Sequence, residues 1–183
     1  MVQVVKRDLI IINKHAVVHK YNTETCLEAG NLYKRLLQDI RCTYLAYMYE
    51  DLASNEKFFY SSNQMWQDLL IGERFINHCP ITLLAFNFLE ENPFNTILLP
   101  WHMALARNEA EKKVCQLRLT FNIDNGISYA AKNQKKRESI DLGGEIGDQC
   151  FYKHAIDNPN LINNTLTQMR AIMMDKVAKL RRR

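Results

Sequence analysis

The chain has 183 residues, 47% apolar and 24% charged; this globular balance excludes disorder and fibrous repeats and suits one domain that buries its own core. Its 24 basic and 20 acidic residues give +4, and three of the positive charges are the terminal Arg181, Arg182 and Arg183, so the body is too near neutrality for a general nucleic-acid binder. No apolar run reaches the ~18 residues of a membrane span, the start MVQVVKRDLIIINKH lacks a signal-peptide cleavage site, and five widely spaced cysteines (Cys26, Cys42, Cys79, Cys115, Cys150) read as free thiols in a reducing compartment, so the expected location is the cytoplasm.

Residues 1–22 read as an N-terminal extension. From Thr23 to Ile40 the apolar residues fall at helical spacing, and Thr25 with Glu28 suits a capping box. Arg41 to Glu50 (RCTYLAYMYE) and Asn55 to Ser61 (NEKFFYS) predict two strands of a hairpin, joined by the polar turn at 51–54. Asn63 to His78 predicts a helix with Trp66, Leu69, Leu70 and Phe75 inward. Pro80 opens another helix that Asn92-Pro93 ends. Thr96 to Trp101 suits a buried strand, and Leu105 to Phe121 a helix that ends near Asp124-Asn125-Gly126. Gly126–Lys132 and Lys136–Leu142 predict a second hairpin. Asn158-Pro159 starts the clearest helix, with Asn158 as side-chain cap and Leu161, Ile162, Leu166, Met169, Ile172, Met173, Val177 and Leu180 in one stripe. Two hairpins and one further strand among helices predict an α/β fold: an α-β-α sandwich with a five-stranded antiparallel sheet, PAS-like or profilin-like. The whole of 1–183 is expected to be a single domain, with 159–183 a long C-terminal helix.

Few residues suggest catalysis. His15 and His19 stand one helical turn apart without the acidic residue of HExxH, which leaves them as ordinary surface or core residues. His78-Cys79 sets a base beside a thiol, but sequence neighbours rarely face each other. The stretch 143–147 (GGEIG) lacks the lysine and spacing of a phosphate loop and reads as a strand exit. Lys132, Lys135, Lys136 and Arg137 lack interleaved aromatics and read as a solvated hairpin tip. No metal or cofactor is implied. The aromatic set is more informative. Tyr44, Tyr47, Phe59, Tyr60, Trp66, Leu70 and Trp101 would line either an ordinary aromatic core or an apolar pocket with a few polar tips.

From Tyr33 to Leu180 the sequence resembles the autoinducer-binding, PAS-like domain of LuxR-type quorum-sensing regulators. Trp66 precedes Cys79-Pro80 by thirteen residues, where that family spaces a Trp and an Asp-Pro pair. Trp101 in ILLPW resembles the family's second Trp, Gly126-Ile127 its step into the fourth strand, and Pro159 to Arg183 its final helix. The resemblance implies a transcription-regulating sensor with an apolar signal in a closed pocket. Its ligand-binding residues would be Trp66, Tyr47, Tyr60, Cys79, Trp101, Leu70 and Tyr44, with the Trp66 indole donating to the ligand. Three departures stand out. Cys79 replaces the family's amide-accepting Asp, and a thiol accepts weakly, so ordinary acyl-homoserine lactones are expected to bind poorly. Ser62 stands four residues before Trp66, where a Tyr is common. The sequence ends at Arg183, where the family continues into a helix-turn-helix.

The expected partners are the signal molecule and a second chain, either a homodimer mate or a full-length regulator, met through Met173 or Val177. No nucleic-acid contact from this chain and no membrane are expected, and Lys179 to Arg183 reads as a linker stub or solvated tail. Two rivals stay open: a ligand-free interaction module of the same fold, and a small enzyme using Cys79 and a His.

Overall fold

Strand β2 (Tyr44–Asp51) and strand β3 (Glu56–Ser61) pair antiparallel, with Tyr47 opposite Tyr60 and Met48 opposite Phe59. Their aromatic residues suit a pleated sheet buried on both faces. The second hairpin, β5 (Asp124–Lys132) and β6 (Lys136–Gly144), joins the first through β6 against β2. Strand β4 (Thr96–Pro100) closes one edge and β1 (Val17–Tyr21) the other, giving the order β1-β3-β2-β6-β5-β4. The computed structural model describes residue 12, residues 15–92 and residues 95–182.

Among the described residues six helices cover this sheet: α1 (Leu27–Ile40), α2 (Gln64–Gly72), α3 (Pro80–Glu91), α4 (Glu109–Thr120), α5 (Gln149–Asp157) and α6 (Pro159–Leu180). Helices α1, α5 and α6 bury Leu32, Phe151, Met169 and Met173 against Leu45, Tyr47, Tyr60 and Ile140 on one face. Helices α2, α3 and α4 bury Trp66, Phe86 and Val114 against Tyr44, Met48, Phe59 and Ala130 on the other. Successive strand residues point to opposite faces, so β2 feeds both cores, with Leu45 and Tyr47 on one side and Tyr44 and Met48 on the other. Each fully buried large side chain contributes ~1.5–3 kcal/mol.

The α-β-α sandwich is as expected, with differences in detail. Among the described residues the sheet has six strands and is mixed, because residues 17–21, expected in an N-terminal extension, pair parallel with β3; most of that extension lies outside the described residues. Strand β4 is an exposed edge with only Leu99 buried. The expected capping box is absent: Asn22 Oδ1 accepts from the backbone N–H of Glu24 and Thr25 in a local turn, so α1 starts at Leu27. The helix expected over 63–78 breaks after Gly72 and resumes as a 3₁₀ turn, Phe75–His78. Pro80 opens α3 as expected; Pro93 lies outside the described residues. Asn158 caps α6 in position but not by its side chain, whose amide donates to the His154 carbonyl. Helix α5 is additional.

The final helix corrects two further expectations. Met173 and Val177 are buried in the core, 0% and 4% exposed, so neither is available to a partner. Arg181 reaches back to Asp51 at 2.7 Å and Glu56 at 3.3 Å. It fastens the end of α6 to the β2–β3 hairpin rather than trailing in solvent, while Arg183 lies outside the described residues.

Candidate functional site

A hollow lies between the sheet and α2, α3 and α4. Ala46 and Asp141 are cross-strand partners at the centre of the sheet, where overlying helices would normally cover them, yet both keep accessible surface. They form the floor. Above them is a cavity of about 50 Å³. Met48, Phe59, Leu70 and Ile76 supply apolar wall, and Asp141, Ser61, Ser139, Thr82 and Arg118 supply the polar parts.

Trp66 reaches this space because Asn63 caps α2: the Asn63 side chain accepts the Trp66 backbone N–H at 3.0 Å, and Ser61 bonds both ends of Asn63's backbone. The ring is 2% exposed and tilts against Phe121 at 5.5 Å. It borders the hollow and does not fill it. Burial, followed by the nearby Asp141 charge, raises the pKa of the Tyr44 phenol, while the neighbouring Ser61 and Trp66 side chains pull the other way. The Trp66 side chain therefore lies beside the Tyr44 hydroxyl.

Trp101 lies over Gly126 and Gly143. A Cβ at Gly126 would stand 2.4 Å from the ring and one at Gly143 2.8 Å, so only glycine permits this approach. Its indole Nε1 donates to Ser128 Oγ at 2.8 Å, and Ser128 Oγ donates in turn to Asp141 Oδ1. Burial pushes the Asp141 carboxyl up to about 6, against the opposing pull of the Ser128 hydrogen bond and the Arg118 charge. Arg118 sets its guanidinium 4.9 Å from the Trp101 ring and 3.8 Å from Asp124, and its Nε is buried without a hydrogen-bond partner.

All seven residues named as candidates from the sequence border the hollow, but they do not face it equally. Tyr44, Trp66, Leu70, Cys79 and Trp101 belong to the core on the hollow's side. Tyr47 and Tyr60 belong to the opposite core, where the Tyr47 hydroxyl donates to Glu138 at 2.6 Å. They meet the hollow from within the sheet, because strand alternation turns their rings away. Asp141, Ser128 and Arg118 were not singled out from the sequence. The available signal was a carboxylate between Ile140 and Leu142 on a strand, which places it opposite an apolar face.

The other candidate groups find ordinary settings. His78 is exposed while Cys79 is buried, so imidazole and thiol point apart. His19 stacks on Phe58 at 4.7 Å. Among the described residues no three His, Cys, Asp or Glu side chains gather as a metal site. Lys132, Lys136 and Arg137 pair with Glu90, Glu138 and Glu50, which dissolves the basic cluster. Gly143 and Gly144 end β6, as the strand-exit reading expects. No described helix is long and apolar enough to cross a membrane.

No protein-family model matches the sequence, and no curated protein does. Solved structures do match. An N-acylhomoserine lactone-dependent LuxR-family transcription factor, CepR2 from Burkholderia cenocepacia, superimposes with a TM-score of 0.52 at 9% identity, over 83% of this chain and 96% of that one. The chain has the fold of a LuxR-family ligand-binding domain. Escherichia coli SdiA aligns with a TM-score of 0.49 at 9% identity, over 79% of this chain and 61% of its own. SdiA in complex with octanoyl-rac-glycerol aligns at the same TM-score and identity, over 60% of its own chain. Within this fold, Trp66 stands beside the hollow and Cys79 occupies the turn into α3.

Proposed function

We propose that the chain is a LuxR-type signal-sensing domain that binds a small, largely apolar molecule in the hollow beneath α2, α3 and α4. The observation that carries this reading is the floor: Ala46 and Asp141, mid-sheet, keep accessible surface beside Trp66. Apolar walls supply the affinity, at ~25 cal/mol per Å² of ligand surface removed from water before ordering costs. Trp66, Tyr44, Cys79, Leu70 and Trp101 face the ligand, and Tyr47 and Tyr60 support the floor from behind. The reading is non-enzymatic, since Cys79 and His78 are not assembled into a pair, and the protein works in the cytoplasm. Occupancy is passed on by association with a second copy or a full-length regulator, through a face other than Met173 and Val177. Of the open rivals, the ligand-free module requires a filled hollow, and the enzyme requires a thiol and an imidazole in contact.

CepR2 depends on N-acylhomoserine lactone, but with Cys79 on the wall such lactones are expected to bind this chain weakly. Titration calorimetry with N-octanoyl homoserine lactone tests that; tight binding lost in Trp66→Phe would reverse it. Mass spectrometry of small molecules that co-purify with the native chain tests the sensor reading itself. An apolar ligand lost in Ala46→Leu supports it. A clean protein that also leaves apolar probe fluorescence unchanged favours the ligand-free module.

A further inference from the structure

The two edges of the sheet are guarded differently. Strand β1 carries Lys20, ion-paired with Asp68, and His19 beside Glu56. Strand β4 is bare: between Glu91 and Arg107 the sequence holds no Asp, Glu, Lys or Arg, in a chain that is 24% charged. An uncharged edge is a template for a further strand. The ladder shows which groups it offers. Lys132 N–H donates to the Asn95 carbonyl, and the β4–β5 register runs on from that pair, with Thr96 opposite Ala131 and Leu98 opposite Tyr129. Antiparallel ladders alternate. Asn95, Ile97 and Leu99 therefore bond inward to β5, while Thr96, Leu98 and Pro100 turn their backbone groups outward. Strand β4 ends the sheet, so among the described residues those groups have no ladder partner. Pro100, which lacks an N–H, stands where the fold needs none. The Leu98 side chain is 48% exposed and lies across from Tyr129, which packs half-buried against the α1, α5 and α6 core.

We propose that β4 is an interface with a second copy of this chain, the two strands pairing antiparallel about a two-fold axis at Leu98. Each Leu98 N–H then donates to the partner's Leu98 carbonyl, and each Thr96 N–H to the partner's Pro100 carbonyl, so every outward N–H of the strand finds an acceptor. The two Leu98 side chains meet at the axis, flanked by the two Tyr129 rings. A two-fold axis sets each side chain against its own kind, and like charges placed opposite each other repel. A strand without charge pairs with itself at no such cost, which selects a second copy over an acidic or basic partner. The pairing consumes both β4 edges and leaves the charged β1 edges outside, so assembly stops at the dimer. Strand β4 runs straight into Trp101, which borders the hollow, so the interface and the ligand space share a boundary. A five-residue edge gives an interface at the low end of the size range, below ~1,200 Å², and the dimer is accordingly weak, with a Kd in the micromolar range.

This inference rests on the association half of the sensor reading, and its test keeps the two apart. Sedimentation velocity on the full chain, from about 1 to about 300 μM, should show a monomer–dimer equilibrium. Thr96→Pro removes an N–H that the fold does not use. Leu98→Lys and Leu98→Glu each set like charges face to face. Each variant should weaken the dimer about tenfold or more, with thermal melts showing all three folded. An equimolar mixture of Leu98→Lys and Leu98→Glu should associate again as a heterodimer, because the axis then sets opposite charges together. A dimer that none of the variants weakens lies on another face; that result overturns the β4 interface and leaves association standing. Weakening by the single variants with no recovery in the mixture overturns the two-fold pairing. A folded chain that stays monomeric at every concentration overturns both the β4 dimer and association with a second copy, while ligand binding, read by mass spectrometry, is untouched.

Discussion

Asp141 holds a charge where the fold would prefer none. Its pKa of about 6 in the folded chain, against an ordinary 3.8, means the native state retains a proton that the unfolded state releases. Stability therefore falls as pH rises from about 3.8 to about 6, and the cost is complete above that. The gap corresponds to about 3 kcal/mol. Around it stand Ser128 on β5, Arg118 on α4 and Tyr44 on β2. Asp141→Asn should match the native chain near pH 4 and exceed it in stability by up to ~3 kcal/mol at pH 7.5. Denaturant melts across that range check this; a difference independent of pH would refute it. A carboxylate kept at such a cost marks a site rather than a scaffold. Gly126 shows the opposite logic. Gly126→Ala would drive a methyl into the Trp101 ring, so the ring and its Ser128 bond must move. A loss of about 2 kcal/mol or more, with a shifted indole emission, is the expected result of unfolding followed by fluorescence.

Among the elements, α6 shows how a helix is tied to a sheet. Its apolar stripe buries Leu166, Met169, Met173 and Val177, and Arg170 reaches Glu138 with two hydrogen bonds, 2.7 and 3.1 Å. Burial alone would raise the Glu138 carboxyl; Arg170, with the Tyr47 hydroxyl and Lys136, holds it below the ordinary value instead. The pair therefore stabilises the fold above the ordinary carboxylate pKa and loses that contribution as pH falls through the lowered one. Arg170→Ala should cost about 1–3 kcal/mol at pH 7, less than a fully buried pair because Arg170 is part exposed, and the deficit should shrink toward pH 3. A deficit constant with pH would assign the effect to packing. This helix, both hairpins and the Pro80 start were legible in the sequence, because caps and periodicities are local. The others were not, for identifiable reasons. Strand β1 is short and pairs at long range with β3. Helix α5 has only nine residues, and its register rests on Phe151 and Ala155, both 0% exposed. Strand β2 is apolar on both faces, so its pattern carries no alternation to tell Tyr44 from Tyr47; the residues near the hollow were recognisable, but the side each ring takes was not.

At the scale of the whole molecule, one sheet separates a solid layer from a hollow one. The α1, α5 and α6 side packs Phe151, Met169 and Met173 to zero exposure, while the α2, α3 and α4 side leaves Ala46 uncovered at the sheet centre. The two layers therefore answer an added side chain differently. In a close-packed core, extra methylenes force strain worth about 1–3 kcal/mol. Ala46→Leu places its added carbons into the hollow instead, and should be neutral or stabilising by up to about 1 kcal/mol while excluding any ligand from the space beside Trp66. Ala155→Leu, on the packed side where Ala155 is 0% exposed, should lose about 1–3 kcal/mol. Denaturant unfolding of the two variants compares the layers directly in one protein. Equal destabilisation would mean that the space above Ala46 closes in solution, and the sensor reading would then lose the void it depends on.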